Sequence, residues 1–122
     1  MSQYRWTAHE AAARLPAQAA GQLRFVTMFE RGTLSLELYA PQGRDDQEPH
    51  TQDELYVVVS GHGEFVNGGE RHPFQAGDVI FVPAGVEHRF ERFSDDFQTW
   101  VIFYGPPGGE QAGEGDELTG RD

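Results

Sequence analysis

From residue 22 to residue 104 the chain breaks into short apolar segments, with Gly or Pro at most of the breaks. The segments at 22–30, 33–40, 54–60, 62–67, 70–74, 78–82, 86–92 and 97–104 are each about the length of a single strand. Many short, evenly spaced strands with such punctuation define an all-β sandwich or barrel. Between 33 and 40, Leu34, Leu36 and Leu38 alternate with Ser35, Glu37 and Tyr39, the period-two pattern of a strand with one apolar face. Asn67-Gly68 predicts a hairpin closed by a type I′ turn, whose central residues both need positive φ. Segments 56–59 and 100–104 are apolar on both faces, so a covering layer or a partner copy is expected there, and we expect a homodimer.

Outside the strands two segments differ. Thr7-Ala8-His9-Glu10 reads as a capping box, with alanines following as far as Leu15 and Pro16 ending the helix. The stretch from 105 onward is Gly, Pro and acid with almost nothing to bury, which predicts a flexible tail over 105–122 behind a single domain at 1–104. A chain of 122 residues is long enough for one core.

Composition removes several kinds of chemistry. There is no cysteine, so disulfides and thiolate catalysis are excluded. All nine basic residues are arginine, so a Schiff-base lysine and a phosphate-loop lysine are excluded as well. A formal net charge of −11 repels nucleic acid and anionic membrane and leaves a small molecule as the expected partner. No apolar run reaches membrane-spanning length and none reads as a signal peptide, so a cytoplasmic location is expected.

Two runs carry the chemistry. The first is Glu48-Pro49-His50-Thr51-Gln52-Asp53-Glu54, and the second runs from Gly77 through Pro83 and Gly85 to His88. Imidazole nitrogen and carboxylate oxygen together suit a divalent transition metal. Positions 48, 50 and 54 share parity, so strand alternation would send them to one face. Gly77 and Gly85 permit tight turns around a buried strand, and Pro83 suits a strand end.

These runs resemble the two signature motifs of the cupin family. His50, Glu54 and Gly61 fit the first motif from its second His onward, and Gly77, Pro83, Gly85 and His88 fit every spacing of the second. Glu48 stands where the family has its first His, and Arg92 where it has a closing Asn. The resemblance implies a double-stranded β-helix, a jelly-roll barrel, here with one short N-terminal helix.

Two ligand sets follow. In one, Glu48, His50, Glu54 and His88 all bind the ion. Its two carboxylates favour Mn or Fe among the candidates Fe, Mn, Zn and Ni. In the other, His50, Glu54 and His88 form a two-His-one-carboxylate face and Glu48 acts as a general base beside it. The position of Glu48 favours the first. Tyr56 shares parity with Glu54 and is a candidate to line the cavity, and Arg92 shares parity with His88 and is a candidate clamp for a substrate carboxylate. Gln47 is placed to hydrogen-bond near the metal from a loop, and Phe81, Phe90, Trp100 and Ile102 are expected to pack the barrel. The resemblance implies a metal-dependent enzyme, and among its reactions we favour a dioxygenase-like one on a small organic molecule. The alternatives are a non-catalytic ligand-binding or sensor barrel, and a sugar isomerase or epimerase using His50 as base and Tyr56 as acid.

Overall fold

The computed structural model describes residues 3–17 and 22–111. Helix α1 (Ala8–Ala12) precedes eight strands: β1 (Phe25–Arg31), β2 (Leu34–Tyr39), β3 (Asp53–Ser60), β4 (His62–Asn67), β5 (Glu70–Gln75), β6 (Val79–Val82), β7 (His88–Glu91) and β8 (Gln98–Tyr104). They form a five-stranded sheet ordered β1-β2-β8-β3-β6 and a three-stranded sheet ordered β5-β4-β7, with every pairing antiparallel. The fold is the jelly roll expected for the chain.

The capping box forms as read. Thr7 Oγ1 accepts from the Glu10 amide at 3.1 Å, and Glu10 Oε1 accepts from the Thr7 amide at 2.8 Å. The helix, Ala8–Ala12, is shorter than its alanines suggest, and it covers the outside of β2, with Ala11 and Leu38 fully buried. Trp6 adds to this cover by packing on Phe29 at a 4.7 Å ring separation.

The β4–β5 turn differs from expectation. Asn67 pairs with Glu70 inside the ladder, so the two loop residues are Gly68 and Gly69. Only Gly68 of the pair has positive φ, the requirement at the first central position of a II′ turn. A second glycine is dictated by close approach. Gly61 has a φ of 88°, and a Cβ there would lie 2.6 Å from the Phe97 backbone. No side chain fits that corner.

Alternation along β3 and β8 sorts the apolar residues. Tyr56 and Val58 on β3 and Val101 on β8 face inward, where they join Phe65, Phe74, Phe90 and Phe97 in one core. Phe90 sits at its centre, with ring centroids 4.6 Å from Phe65, 4.6 Å from Phe97 and 4.8 Å from Tyr56. Trp100, Ile102 and Phe81 were expected in the barrel, but they alternate to the other side of the five-stranded sheet and are half-buried there. Register aligns Leu36, Ile102, Leu55 and Phe81 across four strands, and Leu38, Trp100, Val57 and Val79 in the next row.

Residues 105–111 pack against the start of β3. The Gly105 amide donates to Thr33 Oγ1 at 3.0 Å, and Asp53 accepts from the Glu110 and Ala84 amides at 2.8 and 3.0 Å. The remainder of the expected tail, 112–122, lies outside the described residues. No helix among the described residues is long and apolar enough to cross a membrane.

Candidate metal centre

Two loops and two strands bring three side chains together at one end of the space between the sheets. Glu54 is the second residue of β3 and points inward beside Val82 of β6 and Phe103 of β8. His88 opens β7, delivered by the Pro83–Gly85 turn, in which Gly85 has a φ of 80°. His50 lies in the loop before β3, and its carbonyl accepts from the Gly85 amide at 2.7 Å, which ties the two motif loops to each other. One ligand atom from each of His50, Glu54 and His88 lies within 4.8 Å of the others.

Glu54 and His88 are only 1% and 4% exposed. His88 Nδ1 lies 2.8 Å from the Val86 carbonyl, which can only accept, so Nδ1 carries the proton and Nε2 presents a lone pair. Burial lowers the His88 pKa, and the Val86 bond only partly offsets this. That bare Nε2 stands 3.3 Å from Glu54 Oε1. Neither it nor either Glu54 oxygen has a hydrogen-bond partner. Two buried acceptors facing each other are costly unless a proton or a cation lies between them. Burial raises the Glu54 carboxyl to about 8 against the opposing pull of the nearby Tyr56 hydroxyl.

His50 Nε2 is 3.8 Å from Glu54 Oε1 and its ring stands 5.1 Å from that of His88. Burial, and then the proximity of His88, lowers its pKa to about 4, so both imidazoles are neutral bases at physiological pH. The edge of Phe103 rests on the His50 ring at 4.8 Å. Donor atoms sharing one ion at about 2.1 Å stand about 3–3.5 Å apart. The Glu54–His88 and Glu54–His50 separations of 3.3 and 3.8 Å approach this and the whole set lies within 4.8 Å, so a small closure fits it to a divalent metal.

Behind the three lies a network that sequence patterns give no means of assembling. Asp45, 4% exposed, accepts from the Tyr39 hydroxyl at 2.6 Å, from the Gln47 amide at 3.1 Å, from Gln47 Nε2 at 2.7 Å and from the Phe90 amide at 2.9 Å. Gln47 Oε1 in turn accepts from the Tyr56 hydroxyl at 2.9 Å and lies 3.3 Å from His50 Nε2. Burial, then the Glu54 charge, drives the Tyr56 pKa well upward, so Tyr56 holds its proton and braces the cluster.

The remaining candidates fall elsewhere. Glu48 is exposed and outside the cluster, because residues 48–52 are not in a strand and parity does not govern them. Arg92 follows the end of β7 with a φ of 52°, which breaks the alternation with His88. Its side chain is 78% exposed, 3.4 Å from Glu64, and it lines an open surface groove with Arg44 and Arg89.

A cavity of about 210 Å³ adjoins His50, lined by Phe25, Glu37, Gln47, Val101 and Phe103 among others, none of them arginine. Glu37 is an acid that alternation alone places on the inner face of β2. Burial, then Glu30, raises its pKa to about 7.

A family model described as "Cupin domain" matches residues 35–103, and the chain belongs to the cupin family. It is 37% identical over 91 residues to an uncharacterized protein of Streptomyces coelicolor, covering 73% of this chain and 87% of that one. Over 66 residues it is 35% identical to the acireductone dioxygenase of Geobacillus thermodenitrificans, covering 49% of this chain. That match spans only 37% of the dioxygenase. Among solved structures, an uncharacterized double-stranded β-helix protein of Klebsiella pneumoniae superposes with a TM-score of 0.69 at 17% identity, over 88% of this chain and 92% of that one.

Proposed function

We propose that this cupin binds a divalent transition metal through His50, Glu54 and His88 and acts in a dioxygenase-like manner on a small organic molecule. The observation that carries this reading is the bare Nε2 of His88 facing the Glu54 carboxyl at 3.3 Å, with neither Glu54 oxygen bonded elsewhere. A metal held there would supply open coordination positions and polarise a substrate oxygen. His50 and His88, held neutral by burial, keep their lone pairs free for it. Glu54 gives up its proton on binding, and Tyr56 and Gln47 hold the geometry. The distant likeness to acireductone dioxygenases supports the choice of reaction and makes an acireductone the first probe.

The cavity beside His50 supports a substrate small enough for about 210 Å³, with an apolar flank on Phe25 and Phe103 and a hydroxyl or other donor near Glu37. With no arginine lining it, recognition of a substrate carboxylate by Arg92 is not part of this reading. The second reading, a metal-bearing ligand sensor without turnover, rests on the same cavity. We infer also a homodimer through the two outward apolar rows, in which Val79 is 63% exposed. Light scattering of the purified protein reads its mass directly.

The test is metal analysis of untagged protein with oxygen uptake on an acireductone. About one equivalent of Mn or Fe, with oxygen consumed and both lost in His88→Ala, supports the enzyme. Stoichiometric metal with ligand-induced stabilisation but no oxygen uptake favours the sensor, and absence of metal uptake overturns both.

A further inference from the structure

The metal face has a gap where Glu48 was expected. The side chain that reaches the cluster from that loop belongs to its neighbour, Gln47. Its amide oxygen continues a chain of close donor separations: His88 Nε2 to Glu54 Oε1 3.3 Å, Glu54 Oε1 to His50 Nε2 3.8 Å, and His50 Nε2 to Gln47 Oε1 3.3 Å. Because Gln47 Nε2 is committed to the buried, acceptor-only Asp45 at 2.7 Å, the carbonyl end of the amide must face the imidazole.

We propose that Gln47 Oε1 is a fourth protein ligand of the metal bound by His50, Glu54 and His88, a neutral oxygen donor fixed in place by Asp45. This rests on the metal reading above. The proposal accounts for an otherwise odd arrangement. A glutamine serving only as an acceptor for His50 would need the proton on Nε2, the nitrogen that faces Glu54. With that nitrogen bound to a metal, Gln47 Oε1 loses its donor and gains the cation, while the Tyr56 hydroxyl still donates to its second lone pair. The resulting set of two nitrogens and two oxygens carries one negative charge. An amide carbonyl also suits harder ions, which shifts preference toward Mn²⁺ and away from Zn²⁺.

Asp45 is then a positioning residue. Its carboxylate takes four hydrogen bonds from three segments of the chain, so the loop is locked before any metal arrives. Asp45→Asn removes the acceptor-only partner of Gln47 Nε2, since an asparagine can present its own NH₂ to Gln47.

The test is crystallography of untagged, Mn²⁺-loaded protein with an anomalous map at the manganese edge, joined to Mn²⁺ and Zn²⁺ titrations of variants. The expected result is a peak with Gln47 Oε1 about 2.0–2.6 Å from the ion, the range for oxygen on hard divalent cations. A peak held by His50, Glu54 and His88 with Gln47 Oε1 beyond about 3 Å overturns the proposal and leaves the metal reading intact. No peak and no uptake overturn both. In solution, Gln47→His should raise the Zn²⁺-to-Mn²⁺ affinity ratio at least about tenfold, since imidazole replaces a hard donor. Gln47→Leu, the fallback should the histidine variant not fold, should weaken Mn²⁺ binding more than Zn²⁺ binding, because it removes a hard oxygen donor. An unchanged ratio in a folded variant contradicts ligation.

Discussion

The two ends of the space between the sheets are built on opposite principles. At one end Phe65, Phe74, Phe90 and Phe97 pack ring on ring at tilted to edge-on angles. At the other, Glu54, His88 and His50 crowd three buried or half-buried ionisable groups together, with Glu54 Oε1 at 3.3 and 3.8 Å from the two imidazoles. The aromatic end supplies stability through burial and ring packing. The polar end subtracts from it, because buried ionisable groups with unfilled bonding capacity disfavour the folded state. Phe90 belongs to both, since its ring centres the core and its amide holds Asp45. The stable half thus positions the strained half.

The largest effect expected from breaking this division is at Phe90. Phe90→Ala should cost about 3–5 kcal/mol in denaturant unfolding, the range for a buried Phe. It should also loosen metal binding by disturbing the Phe90–Asp45 contact.

Next comes a pH effect confined to the polar end. The Glu54 carboxyl, raised from 4.5 to about 8, keeps its proton in the folded state where the unfolded chain has lost it. Stability of metal-free protein therefore falls as pH rises through that window. Glu37, raised to about 7, acts in the same direction. His50, lowered from 6.5 to about 4, acts oppositely, and its stabilising gain with pH is complete by about 6.5. The net result is a decline between about pH 6.5 and 8, measurable as a falling denaturation midpoint. Glu54→Gln should flatten it, and saturating metal should reverse it, because the ligand form of Glu54 is the ionised one.

The smallest effect separates Glu48 from its neighbours. Glu48→Ala should leave metal affinity within about threefold of the parent and stability within about 0.5 kcal/mol, as for an exposed surface change. A loss of metal in that variant would return Glu48 to the ligand set.

Where backbone pattern dictated position, reading the chain alone succeeded. The Gly77–His88 spacing placed His88, and strand alternation placed Glu54 and Tyr56 on the inner face because all three lie in or beside regular β-structure. The same parity argument failed at Glu48 and Arg92 for one reason, since the first precedes β3 and the second follows β7 in a left-handed conformation. Trp100, Ile102 and Phe81 were assigned to barrel packing on hydrophobicity, but cross-strand register with Leu55 and Val57, which no pattern along a single strand reveals, sets them on the outer face. Asp45 and Gln47 gained their roles through contacts that tie the 45–47 loop to other segments of the chain. Asp45 alone meets Tyr39, Gln47 and Phe90, and no local signal announces such a hub.

Thermal unfolding of untagged protein at pH 8, with and without one equivalent of Mn²⁺, tests the central claim most directly. A metal bridging Glu54 and the two imidazoles predicts a rise in midpoint of several degrees or more in the parent chain, and none in His88→Ala or Glu54→Gln. An equal response in all three proteins, or no response in any, would contradict it.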